Sequence, residues 1–118
     1  MIDLEKMSRE HEKLFPVCTL ESQVLKMEEE CKELYMVQNT DNAVKELADC
    51  IIVCAGIYRF TPNFARTVAN EIINANIDII EELEEEVNRK WQINLKRKWE
   101  FKNGVYKHIG KDGNEWNG

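Results

Sequence analysis

Leu47-Ala48-Asp49-Cys50-Ile51-Ile52-Val53-Cys54-Ala55-Gly56-Ile57-Tyr58 is the stretch that decides the fold. Every residue in it except Asp49 is apolar or small. A run of this length without proline reads as helix, and a helix that is apolar all round belongs in the middle of a bundle. The rest of the chain agrees. Only five Gly and two Pro punctuate 118 residues, which favours long helices over many short strands. The expected fold class is all-α, a four-helix bundle with a short hairpin-like tail. The length suits one domain with one core.

Working outward from that stretch, the polar break Gln38-Asn39-Thr40-Asp41-Asn42 precedes it, and Thr40 or Asp41 can cap a helix from about Asn42 to Tyr58. Upstream, a helix is predicted from Leu20 to Val37 with Thr19 as its N-cap. Leu20, Val24, Met27, Cys31 and Leu34 step by four and three, an amphipathic stripe expected to face inward. Residues 2–14 read as a short amphipathic helix ended by Phe15-Pro16, because the residue before proline is pushed out of the helical region. Downstream, Thr61-Pro62 is a cap followed by proline at the first helical position. Helical pattern then runs to about Trp99, too long for one globular helix, so a break is expected near Asn70 to Asn76. Beyond it, Asn103-Gly104 between alternating residues signals a hairpin, which must pack on something to persist. Residues 110–118 read as loose. The whole is one domain over 1–118: an N-terminal helix in 1–15, a helical core in 20–99 and a tail in 100–118.

Asp49 is the anomaly. An unpaired carboxylate inside an apolar helix costs several kcal/mol or titrates to neutral. Glu46 lies three residues earlier on the same face and worsens the problem unless a cation compensates both. The preceding helix offers a matching half, Glu29-Glu30-Cys31-Lys32-Glu33, in which Glu30 and Glu33 share a face. The short connection makes the two helices expected antiparallel neighbours, presenting two carboxylate pairs to one point. That is a hard-oxygen cage suited to magnesium, with manganese as a substitute. A di-iron bundle would need Glu-x-x-His pairs, and neither His11 nor His108 follows a glutamate at that spacing. His11 reads as a surface helix residue and His108 as a tail residue. Cys18, Cys31, Cys50 and Cys54 lack zinc-ligand spacing and read as reduced thiols packed as small hydrophobes. Glu81, Glu82, Glu84, Glu85 and Glu86 read as a solvated face.

Glu29-Glu30-x-x-Glu33 followed by Glu46-x-x-Asp49 resembles the signature of the all-alpha NTP pyrophosphohydrolases, the superfamily of MazG-type enzymes, dimeric dUTPases and dCTP pyrophosphatases. The stretch from Phe15-Pro16 through Thr19-Leu20-Glu21-Ser22-Gln23 to Lys26-Met27 is similar to small MazG-like proteins of phages and bacteria. Lys90-x-x-x-Asn94-x-x-Arg97-x-Trp99 resembles the end of that group's last long helix. Together these matches span about 15–99, and the two-part acidic motif is their specific element.

The resemblance implies a MazG-like four-helix bundle that hydrolyses nucleoside triphosphates between the α and β phosphates with magnesium, leaning to purine deoxynucleotides. It implies Glu30, Glu33, Glu46 and Asp49 as metal ligands and Glu29 as an auxiliary acid or water-orienting base beside the ligand Glu30. It also implies a homodimer or homotetramer. Lys90, Asn94 and Arg97, spaced by four and three, could contact phosphates or sugar, or stand as solvated surface residues. Trp91 and Trp99 could stack on a base, or pack in the core.

The net charge of −6 argues against nucleic acid as a partner. No apolar run approaches the roughly 20 residues a membrane helix needs, and Met1 opens no signal-peptide pattern, so a cytoplasmic protein is expected, and the resemblance implies a bacterial or phage-infected host cytosol. The competing functional class is a non-catalytic helical interaction module that keeps the fold and docks a partner through its acidic and basic patches. The buried Asp49 speaks against it, since replacing an uncompensated buried charge by an apolar residue usually stabilises.

Overall fold

Local sequence signals set most helix boundaries in the structure, a computed structural model that describes residues 1–37 and 40–109, Thr40 and Asp41 by backbone alone. Helix α1 (Leu4–Leu14) starts at Asp3, whose carboxylate accepts the Lys6 N–H at 3.0 Å, and stops at Phe15. Helix α2 (Leu20–Tyr35) starts with a reciprocal capping box: Thr19 Oγ1 accepts from the Ser22 N–H, and Ser22 Oγ accepts from the Thr19 N–H, both at 3.1 Å. Helix α3 (Thr40–Tyr58) follows. Helix α4 (Pro62–Ala75) carries its proline in the first turn, but Thr61 makes no side-chain capping bond. There the chain passes almost directly from one helix to the next, with the Thr61 N–H donating back to the Ile57 carbonyl at 3.0 Å.

The expected break in the long downstream helix falls at Asn76. Its side chain donates to the Ile72 carbonyl at 2.7 Å, and a 3₁₀ turn (Ile77–Ile79) leads into helix α5 (Ile80–Lys96). Helix α5 ends three residues short of the sequence expectation. Trp99 lies in strand β1 (Lys98–Lys102), which pairs antiparallel with β2 (Val105–Ile109). Asn103 and Gly104 both take positive φ, 55° and 80°, which is what a two-residue turn between right-twisted strands requires. The hairpin packs on Phe15, which is 2% exposed: the rings of Trp99 and Tyr106 both meet it edge-on at 4.9 Å. Tyr106 Oη also accepts the Val17 N–H at 3.1 Å. The expectations for 38–39, for a Thr40 or Asp41 cap and for 110–118 lie outside the described residues and side chains.

Helix α3 is the axis of the fold. It packs on α1, α2, α4 and α5, and every residue from Leu47 to Ile57 is buried. Burial of each of its Leu, Ile and Val side chains is worth about 1.5–3 kcal/mol. The described architecture is therefore five helices, four of them around a central one, plus the hairpin. Leu83, Val87 and Trp91 of α5 and Met7 of α1 close the main core over Leu47, Ile51 and Ala55. Trp91 is a core residue, its indole N–H donating to Glu10 at 3.0 Å.

Three sequence expectations about burial are corrected. His11 is 4% exposed, because its ring sits between Phe15, at 4.7 Å, and Trp91, at 6.2 Å and nearly parallel. Cys50 and Cys54 are buried thiols, pushed up to about 12 by burial, whereas Cys31 is exposed and Cys18 half-buried. Helix α2 is rotated relative to its apolar stripe. Its fully buried residues are Gln23 and Glu30, while Leu20, Val24 and Cys31 are exposed. Of the expected stripe only Met27 and Leu34 turn inward, half-buried against the core clusters that α3 builds, and the inward seam of α2 carries the polar Gln23 and Glu30 beside them.

Candidate metal centre

The α2–α3 pairing sets the site. Gln23 lies against Gly56, the Asp49 carboxylate is near enough to act on Glu30, and Glu33 meets Glu46: each step down α2 matches a step up α3, the register of an antiparallel pair. Carboxylates three residues apart on each helix thereby converge. One oxygen each from Glu30, Glu33 and Glu46 lies within 4.8 Å of the others. Oxygens on opposite sides of a magnesium ion stand about 4.2 Å apart, and around a larger cation somewhat more, so this spacing suits a shared divalent ion.

The electrostatics are those of an incomplete shell. Glu30 is 2% exposed and its Oε2 has no hydrogen-bond partner, and Glu46 Oε2 is also buried without one. Burial first, and then the neighbouring Asp49 carboxylate, push Glu30 up to about 8, with Lys26 pulling the other way. Glu46 is raised as well, by burial and by the Glu33 carboxyl hydrogen-bonded to it. Buried carboxylate oxygens without donors are rare in folded proteins because each carries the desolvation cost of its charge. A cation between them removes that cost, so the donor set fits a hard divalent ion.

Asp49 stands beside the cluster with its charge already matched. Its Oδ1 accepts from Lys90 Nζ at 2.8 Å, and the same ammonium donates to the Lys45 carbonyl at 3.1 Å. Burial nevertheless leaves Asp49 raised above its ordinary value, with Lys90 offsetting part of the effect. Lys90 thus reaches the site by neutralising Asp49. Asn94 is 4% exposed, and its carbonyl accepts the Trp99 indole N–H at 3.0 Å. Arg97 is the half-buried C-cap of α5. Glu29 lies at the rim with its side chain 56% exposed, open to solvent next to the three ligating candidates.

Lys26 is the site residue that pattern reading passed over. Its ammonium is 3.7 Å from Glu30 and 4.0 Å from Glu29, and its side chain is only 10% exposed. The signal was present in the sequence, since Lys26 precedes Glu29 by three and Glu30 by four, the spacings at which helix neighbours pair. The centre therefore has Glu30 and Asp49 buried, Glu46 half-buried, Glu33 and Glu29 exposed at its edge, and a cation on either side (Lys26 from α2, Lys90 from α5). Comparison of the chain with protein-family models, with curated proteins and with solved structures finds no match.

Proposed function

We propose that this chain is a magnesium-dependent nucleoside triphosphate pyrophosphohydrolase of the MazG-like kind, built on a MazG-like helical bundle. The observation that carries the reading is the unpartnered Glu30 Oε2, buried at the point where Glu33 and Glu46 converge from two helices. Glu30, Glu33 and Glu46 would hold the ion, with Asp49 adjoining as a fourth acid. When bound, a divalent ion there supplies polarisation of the phosphate oxygens and neutralisation of their charge. Glu29, exposed at the rim, would orient or deprotonate the attacking water. Lys26 offers the triphosphate a positive charge on the α2 side. The resemblance of the acidic motif supports cleavage between the α and β phosphates and a lean to purine deoxynucleotides.

The reading includes assembly into a homodimer or homotetramer in the cytosol. Leu20, Val24, Cys31 and Tyr35 form an exposed stripe on α2 at helical spacing, and Phe64 and Ile77 are 56% and 61% exposed elsewhere. Apolar surface in stripes is what a self-association face offers. Among the described residues no helix is long and apolar enough to cross a membrane.

The test is pyrophosphate release from a panel of canonical and modified NTPs and dNTPs, with magnesium and with EDTA. Metal-dependent release with a matching monophosphate, lost in Glu30→Gln, supports the reading. A folded, metal-binding protein that turns over none of them would assign the fold to partner docking instead. Light scattering after size-exclusion chromatography tests the assembly, and a clean monomer would overturn it.

A further inference from the structure

Along α2 from the carboxylates runs a second feature. Ser22, Leu25, Lys26 and Glu29 lie on one face of the helix, and the hairpin residues Phe101 and Tyr106 stand opposite, enclosing a groove of about 230 Å³. This is smaller than the roughly 300–1,000 Å³ that encloses a whole drug-sized ligand, so it suits one end of an elongated molecule. Its walls are mostly apolar. The Phe101 ring meets Tyr106 at 5.0 Å and is 48% exposed, and Leu25 across from it is 58% exposed. A half-exposed aromatic ring and an exposed leucine facing each other over a cleft offer two apolar faces to a flat group.

The groove and the carboxylate centre share residues. Lys26 and Glu29 line the groove, and Lys26 lies 3.7 Å from Glu30. From Lys26 to Glu33 is seven residues, about 10 Å along a helix. That is the scale separating a base from the β phosphate in an extended nucleotide. The two sites are therefore continuous, polar and acidic at one end, apolar and aromatic at the other, with an ammonium at the junction.

We infer that this groove receives the base and sugar of the nucleoside triphosphate, with Phe101 as the stacking face, so that the hairpin is the specificity wall of the site. The inference rests on reading the carboxylates as the phosphate-binding metal centre. It assigns the hairpin, which the acidic motif does not include, a direct role in recognition. It also gives Lys26 a position between base and phosphates.

Amide-resolved NMR of the full chain in magnesium tests it with two probes: deoxyadenosine 5′-(α,β-imido)triphosphate and inorganic tripolyphosphate. Both should move the amides of Glu30 and Glu46. The nucleotide alone should also move those of Phe101, Gly104 and Tyr106. Phe101→Ala should weaken the nucleotide about tenfold, as expected for loss of one stacking face, and leave tripolyphosphate within about twofold. Leu25→Trp, which fills the groove from the exposed face of α2 and leaves the hairpin sequence unchanged, should do the same. If the nucleotide leaves the hairpin amides still and both variants bind it like the parent, the groove inference is overturned while the metal centre stands. If neither probe moves Glu30 or Glu46, the reading of the centre fails and takes the inference with it.

Discussion

Lys90 on α5 and Asp49 on α3, forty-one residues apart in sequence, form a half-buried ion pair with Nζ 2.8 Å from Oδ1. The cation that Asp49 requires inside an apolar helix is thus supplied by the protein itself. Removing one partner leaves the other as an uncompensated buried charge, which is the costly way to break such a pair. Lys90→Met is expected to destabilise the metal-free protein by about 1–3 kcal/mol in urea unfolding. Asp49→Asn, Lys90→Met and the double variant close a cycle whose coupling should be at least about 1 kcal/mol. The same Lys90→Met substitution removes a positive charge from beside three carboxylates and releases the fourth. Magnesium titrated calorimetrically should therefore bind it several-fold more tightly than the parent. Weaker binding would mean that Lys90 supports the centre rather than competing with the ion.

The carboxylate cluster gives this protein a pH dependence opposite to that of ordinary acidic residues. Glu30 is pushed up to about 8 from an ordinary value of 4.5, and Glu46 and Asp49 are raised too. Between those values the folded state holds protons that the unfolded chain has released. The contribution is fully present below about pH 4.5 and is lost as pH rises through 8, at about 1.4 kcal/mol per pH unit for one such group. In EDTA the melting temperature should fall from pH 6.5 to 8. Magnesium displaces the shared protons, so its stabilisation should be larger at pH 8 than at pH 6.5. Glu30→Gln should flatten the decline and abolish the magnesium effect. A parent protein whose melting temperature rises over this window would show that the cluster does not hold these protons.

These pairings explain how far the sequence could be read. Helix α3 was legible because eleven consecutive residues from Leu47 to Ile57 leave no polar face to present to water. The convergence of Glu30, Glu33 and Glu46 was legible because i, i+3 acids on successive helices have one compact solution. The facing of α2 was not. Its stripe of Leu20, Val24 and Cys31 is the better hydrophobic face, but the seam that packs on α3 carries Gln23 and Glu30, chosen for contact with Gly56 and the acidic site. Periodicity ranks faces by hydrophobicity, and a seam that sets Gln23 against Gly56 and Glu30 among the acids of α3 departs from that ranking. His11 defies its local sequence for a related reason. Its neighbours Glu10, Glu12 and Lys13 describe a wet helix, while the ring that stacks on it, Trp91, is eighty residues away.

His11 then carries an acid-side prediction. Burial, and secondarily the nearby Arg59 guanidinium, hold its imidazole down at about 3 from an ordinary 6.5. Between those values the unfolded chain binds a proton that the folded one refuses. Stability is therefore lost as pH falls from 6.5 towards 3, by about 1.4 kcal/mol per pH unit. The carboxylate cluster changes in the opposite sense over part of the same window. The comparison to make is therefore parent against His11→Gln, in which that background cancels. The difference in unfolding free energy between the two should narrow by about 1.4 kcal/mol per unit as the pH is lowered from 6 to 4.5. A difference that stays constant would mean that His11 titrates normally despite its burial.

Gly56 of α3 sits where α1 and α2 both approach it closely. A Cβ there would fall 2.2 Å from Gln23 Oε1 and 2.8 Å from His11 Nε2. Neither neighbour is free to give way. Gln23 is 3% exposed and its amide donates to Cys18 Sγ at 2.7 Å, and His11 is held between Phe15 and Trp91. Alanine is otherwise the better helix former by about 1 kcal/mol. Overpacking a well-filled interior costs about 1–3 kcal/mol, and here it also displaces hydrogen-bonded groups. Gly56→Ala is therefore expected to destabilise by about 1–2 kcal/mol, measured by urea unfolding. The decisive control is the pair Gly56→Ala with Gln23→Ala. Shortening Gln23 makes room for the new methyl, so the double variant should be more stable than the sum of the two single losses. Simple additivity would mean that the α2–α3 seam can spread to admit a side chain. Gly56 would then not set the helix separation on which the meeting of Glu30, Glu33 and Glu46 depends.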